Sequence, residues 1–387
     1  MLSSPPLSLY IHLPWCVAKC PYCDFNSHAL KGELPEERYV DALLADLEVD
    51  LPRVWGRPVV SVFLGGGTPS LFSGVAIDRL LAGVRARLQL APNAEITMEA
   101  NPGTVEHDRF EAYRAAGVNR ISLGVQTFDS DKLKILGRIH SGAEAEKAIE
   151  AVKAAGFERF NLDLMWALPE QSVEQAVDDV ERALGFGPRH LSHYQLTLEP
   201  NTVFAKHPPP LPDEDSMIAM QEACAERLDR AGLHAYEISA WAEPGQESIH
   251  NLNYWRFGDY LGIGAGAHAK LTLPAEERII RTRRKSHPRP YLKALEDGSF
   301  VAEEKSISES ELAFEYFLNR FRLDEPVPLA EFEDRTGLHS GALADRMGRA
   351  LELGLVEATD PAFERSTVLQ RTERGQRYLN DLQALFL

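Results

Sequence analysis

The sequence predicts an α/β fold, a partial or full (β/α) barrel followed by a smaller winged-helix-like α+β unit. Three observations carry that reading. Short apolar, β-branched segments alternate with amphipathic helical stretches at least six times, with short connections, the pattern of a parallel sheet covered by helices. Glycine, proline and polar residues gather where each strand-like segment stops, the end at which parallel α/β folds build their sites. The last ~80 residues lose the alternation and read helix–helix–helix–hairpin, the order of a winged helix.

Leu7 to Leu13 (LSLYIHL) reads as a short buried strand, with a cysteine loop at its C-terminal end. Pro35-Glu36-Glu37 starts a helix, because proline is tolerated in the first turn and acids suit the positive end of the dipole. Val40, Leu43, Leu44, Leu47 and Leu51 then recur at helical spacing. Pro58 to Leu64 is a strand that runs into Gly65-Gly66-Gly67-Thr68-Pro69, followed by a helix from Val75 to Leu88. Three further pairs and a strand repeat the theme: strand Ile96–Glu99 with helix Val105–Ala116, strand Arg120–Val125 with helix Ala143–Ala155, strand Phe160–Met165 with helix Val173–Leu184, and strand His190–Leu198. A helix from Asp215 to Ala231 lies beyond three consecutive prolines, and Tyr236 to Ala240 reads as another strand.

Residues 1–240 are therefore assigned to the barrel. A connecting region, 241–300, holds His250-Asn251-Leu252-Asn253-Tyr254-Trp255, a glycine-rich stretch from Leu261 to His268, and a basic run from Arg281 to Arg289 read as a linker. In the C-terminal unit, 301–387, Glu309–Arg320, Leu329–Arg335 and Gly341–Glu352 read as helices, with short strands near Val356 and Val368 and a last helix from Glu373.

Three of the four cysteines, Cys16, Cys20 and Cys23, fall within eight positions. So few cysteines, with no secretory signal in the first six residues, do not make a disulfide framework. Clustered thiolates are soft ligands suited to an iron–sulfur centre or to zinc. Three ligands would leave one iron of a cubane open to a substrate; a zinc site would recruit His12 or His28 as a fourth ligand. Cys224, between Met220 and Leu228 on a helix, reads as a small core residue. The net charge of −17 argues against a general nucleic-acid binder. A protein of a reducing, cytoplasmic compartment is expected.

The glycine run lets backbone approach a ligand closely, and it lacks the lysine and hydroxyl residue of a phosphate loop. Glu99, Gln126, Arg138 and Asp163 stand at or after strand ends. A carboxylate there can accept both hydroxyls of a ribose, although each taken singly also fits a helix cap or an ion pair.

The segment from Tyr10 through Cys23, with its C-x3-C-x2-C loop, resembles the cluster motif of radical S-adenosylmethionine (SAM) proteins, which implies a partial (β/α)6 barrel. GGGTP, Met98–Pro102, Gly124-Val125-Gln126 and Asn161–Leu164 are similar to the branch that holds the oxygen-independent coproporphyrinogen III oxidase, HemN, and the HemW haem chaperones. The oxidase carries another cysteine two positions after the third, where this chain has Phe25, and His250–Trp255 is similar to the HNxxYW motif of the chaperones.

The resemblance implies a [4Fe–4S] cluster on Cys16, Cys20 and Cys23, and SAM held by Gly66, Gly67, Thr68, Glu99, Gln126, Arg138 and Asp163. Tyr10 and Tyr22 would flank the cluster, and Thr197 and His268 would lie near the adenine side of SAM. The resemblance also implies haem at His250, Tyr254 and His268, and transfer of haem to an acceptor protein. Coproporphyrinogen oxidation and a zinc-stabilised binding module are the alternatives. Transient membrane association and dimerisation stay open.

Overall fold

The computed structural model describes residues 2–104 and 107–387. Six parallel strands lie side by side in chain order: β1 (Leu7–Leu13), β2 (Val59–Gly66), β3 (Leu90–Ala100), β4 (Arg120–Gln126), β5 (Phe160–Trp166) and β6 (His190–Gln195). Helices α1 (Glu36–Val54), α2 (Gly74–Arg85), α3 (His107–Ala116), α4 (Gly142–Ala154) and α5 (Val173–Gly185) connect them. Val105, where the sequence places the start of α3, lies outside the described residues.

The strands alternate strictly. Leu7, Leu9 and Ile11, Val62 and Leu64, Ile96 and Met98, and Leu162 and Leu164 are buried beneath the helices. The intervening positions are mostly polar, Phe63 and Met165 excepted, and several bond to one another across the inner face. Ser8 meets Ser61 at 2.7 Å, Ser122 donates to Asp163 at 3.1 Å, and Asn161 donates to Ser122 at 2.8 Å. A period-two pattern of this kind gives a sheet with a greasy outside and a polar interior. Ser141 with Glu144 and Ser172 with Gln175 form capping boxes that start α4 and α5. Helix α6 (Glu214–Arg230) buries Met220, Cys224 and Leu228 on one face, so Cys224 is a core residue as expected.

The sheet does not close. Beyond β6 it continues antiparallel through β7 (His234–Glu237) and β8 (Ala240–Ala242), with β8 next to β6. The other edge departs from chain order: β9 (Asp259–Ile263) inserts parallel to β1, and β10 (His268–Leu273), β11 (Arg278–Arg284) and β12 (Val301–Ser306) extend from it. The basic run is thus not a bare linker, because Arg281–Arg284 belong to a strand. Arg284 is fully buried and pairs with Asp46 at 2.7 Å and Asp50 at 2.5 Å on α1. Helix α7 (Ile249–Trp255) lies against β2, β1 and β9, where Asn253 donates to Ser8 and to the Asp259 carbonyl, each at 2.9 Å.

The C-terminal unit has its own core, centred on Tyr316, Phe317, Phe332 and Phe386, which Phe257 and Ile279 of the connecting region join. Its order is α8 (Glu309–Arg320), a short strand at Val327–Pro328, α9 (Leu329–Thr336), α10 (Ala344–Glu352) and a hairpin of Val356–Ala358 with Val368–Arg371. This is the winged-helix order read from the sequence. No helix among the described residues is long and apolar enough to cross a membrane.

Candidate functional site

A cavity of about 630 Å3 opens at the C-terminal ends of β1–β6. Cys16, Cys20, Tyr22, Cys23, Gly66, Gly67, Thr68, Glu99, Gln126, Arg138, Asp163 and Thr197 all line it. Cys16 and Thr197, far apart in the chain, meet there because every parallel strand ends at the same rim.

The cysteine loop is fastened from several sides. His12, whose imidazole stays neutral because burial lowers its pKa, has one ring nitrogen 3.0 Å from the Tyr10 hydroxyl and the other 2.9 Å from the Asn26 carbonyl. Both nitrogens are engaged, so His12 is not poised as a fourth thiol-site ligand. His28 instead packs edge-on against His287, with ring centroids 5.0 Å apart. Among the described residues, no three His, Cys, Asp or Glu side chains are placed to hold one metal ion between them. The three thiols instead share the wall of a wide cavity, and Arg138 Nη1 stands 3.7 Å from Cys20 Sγ. A guanidinium there compensates thiolate charge.

The glycine run has a packing reason besides any ligand. Gly66 has φ +114°, and a Cβ on it would fall 2.5 Å from the His12 ring. One on Gly67 would fall 2.5 Å from the Trp15 carbonyl. The run thus lets β2 end against the loop while its backbone faces the cavity. Gly66 N–H donates to Glu99 at 3.1 Å.

Burial, with the nearby Asp163 carboxylate adding to it, pushes the Glu99 pKa up to about 8. Asp163 is raised too, again by burial, against hydrogen bonds from Asn161, Ser192 and Ser122. Gln126 sits at φ 69°, and its side-chain carbonyl accepts from Tyr194 OH at 2.5 Å. Arg138 Nη2 donates to the Gly124 carbonyl at 2.9 Å, and its Nε is buried without a protein partner.

Four expected residues do not line this cavity. Tyr10 lies beneath it, near the Phe63 and His250 rings at 6.2 and 6.4 Å. His250 stacks on Phe63 at 4.9 Å and bonds to Ser61 at 3.0 Å, and burial lowers its pKa to about 4. Tyr254, one turn on, lines a groove shared with the C-terminal unit, and His268 is an exposed residue at the start of β10. The three haem candidates are therefore not brought together.

Sequence reading missed Ser192, Tyr194, Glu199, Glu237 and Arg322, which also line the cavity. Ser192 and Tyr194 could have been found by continuing the inward alternation along β6. Arg322 comes from the C-terminal unit, and no local signal marks it.

Residues 10–183 match the model of the radical SAM superfamily, and residues 307–364 that of the HemN C-terminal domain. Over the full length of both chains, the sequence is 52% identical to "Heme chaperone HemW" of Escherichia coli (strain K12). It is 50% identical to the protein of the same name from Haemophilus influenzae, covering 99% of this chain and 98% of that one. The chain belongs to the HemW family of radical SAM proteins.

A solved structure of coproporphyrinogen III oxidase (HemN) from Escherichia coli aligns with a TM-score of 0.82 at 21% identity, covering 99% of this chain and 90% of that one, and shows the shared fold. Membership of the superfamily implies a [4Fe–4S] cluster and SAM. The thiols, the Arg138 guanidinium and the two carboxylates facing one cavity fit that pair of groups.

Proposed function

We infer that this chain is a haem chaperone of the cytoplasm, which binds haem and passes it to an acceptor protein. The full-length identity with the Escherichia coli haem chaperone carries the reading. Phe25, exposed on the cavity wall where the oxidase has a cysteine, agrees with it.

In this reading Cys16, Cys20 and Cys23 hold three irons of the cluster. When bound, the cluster supplies an electron and an open iron position for the amino-acid end of SAM. Gly66, Gly67 and Thr68 receive that end through their backbone. Glu99 accepts the ribose hydroxyls, while Gln126, Arg138 and Asp163 complete the enclosure and Tyr22 shields the loop. Residues 1–240 thus hold the cofactor, and the connecting region, 241–300, receives haem. Of the three haem candidates, Tyr254 is the one that faces a groove.

Anaerobic titration of the reconstituted protein with haem tests this reading. Saturable binding with a shifted Soret band is expected. No binding, or conversion of coproporphyrinogen to protoporphyrinogen with SAM and reductant, overturns it, the latter in favour of the oxidase.

A further inference from the structure

A second cavity, about 580 Å3, lies between the connecting region and the C-terminal unit. Its size is that of a small-molecule site. Trp255 and Arg322 line both this groove and the cofactor cavity. The Arg322 guanidinium lies over the Trp255 ring at 4.4 Å. One stacked pair is therefore shared by the two spaces.

The groove has one flat, apolar side. Tyr254 and Leu318 are exposed there, at 36% and 37%, and Phe314 stands beside them. Its charged residues differ in availability. Arg281 is held by Glu315 through three hydrogen bonds between 2.6 and 3.1 Å. Arg322 is held by a single ion pair, Nη2 to Glu237 at 3.1 Å, and Glu311 and Glu315 complete the charged lining. The Arg322 Nε and the Trp255 Nε1 are buried and bonded to no protein atom. Buried donors are nearly always paired in a working protein, and two N–H groups on one stacked pair suit a carboxylate, the acceptor that guanidinium binds best.

We propose that the groove lined by Tyr254, Phe314 and Leu318 seats the flat body of a carboxylated tetrapyrrole, and that Arg322 with Trp255 N–H anchors one of its carboxylates at the wall of the cofactor cavity. The proposal rests on the haem-chaperone reading and adds to it the C-terminal unit as half of the site. Ligand charge and ligand body are read by different residues: the carboxylate by Arg322, the plane by the aromatic and apolar side.

Equilibrium titration of the full chain with haem and with haem dimethyl ester separates the two. Wild type is expected to bind haem about tenfold more tightly than the ester, a charge-assisted hydrogen bond's worth of discrimination. Arg322→Gln should bring the two affinities together. Leu318→Gln, a change at an exposed position, should weaken both ligands by about tenfold while keeping the preference for the free acid. Equal affinities in wild type, a preference that survives Arg322→Gln, or unaltered binding by Leu318→Gln would each overturn the proposal. Failure of wild type to bind haem at all removes the chaperone reading itself.

Discussion

The backbone amide of Gly66 donates to the carboxylate of Glu99 at 3.1 Å, so the glycine run of one strand and the acidic end of the next act as one element of the site. Glu99 is also the carboxyl with a pKa of about 8. If its ionised form is the acceptor for ribose, SAM affinity should rise about tenfold between pH 7 and pH 9, as the ionised fraction does. Equilibrium dialysis with labelled SAM across that range checks it.

The same carboxyl fixes the sign of a stability effect. Its folded pKa of about 8 lies above the ordinary 4.5, so the folded state holds the proton that the unfolded state releases. The contribution is fully present below pH 4.5 and is lost as pH rises through 8. Glu99→Gln, which keeps the shape without the charge, should melt a few degrees above wild type at pH 8 and close to it at pH 5. Thermal melts of both proteins without SAM measure this.

His250 titrates in the opposite sense. Burial lowers its pKa to about 4 from 6.5, so its contribution is present above pH 6.5 and is lost as pH falls through 4. Its ring stacks on Phe63 and bonds to Ser61, so His250→Ala should cost about 1–3 kcal/mol of stability at pH 7. Denaturant midpoints for the two proteins test that. Part of any loss of haem binding in this variant then reports the fold, and urea curves belong beside the titration.

Arg138 joins the cysteine loop to the β4 end, through Cys20 Sγ at 3.7 Å and Gly124 O at 2.9 Å. Arg138→Met keeps the volume and removes both contacts. Iron and sulfide retained per chain after anaerobic reconstitution should fall to below about half of wild type, while far-UV circular dichroism stays the same.

The pair of carboxylates on α1 is tied to β11 by one side chain. Arg284 is buried between Asp46 and Asp50, and Arg284→Ala leaves Asp46 without its counter-charge and Asp50 with Arg53 alone, at 3.2 Å. A loss of about 3–5 kcal/mol is expected, read from urea unfolding.

The barrel was legible because its signals are local. Each of β1–β6 has apolar residues on its outer face and stops at a polar or glycine-rich turn, so Cys16, Gly67, Glu99, Gln126 and Asp163 could all be placed on one rim. Order in the sheet beyond β6 was not legible. Strand β9 pairs with β1 across about 250 residues, and the strand β11 hides in a run of arginines whose burial depends on Asp46 and Asp50, far away in sequence. The HNxxYW segment was read as one haem patch. His250 and Tyr254, four apart on one helix, share a face but meet different neighbours along it: His250, at the start, stacks on Phe63, while Tyr254, near the end, lines the groove. Arg322 reaches the site only through docking of the C-terminal unit, a contact between distant surfaces that no motif announces.

The account depends most on three thiols holding a cluster whose fourth iron stays open to SAM. Electron paramagnetic resonance of the dithionite-reduced, anaerobically reconstituted protein tests this most directly. A reduced [4Fe–4S] signal that changes on adding SAM, and that Cys20→Ala abolishes, is predicted. A signal indifferent to SAM, or no cluster in protein that has kept its fold, would contradict it.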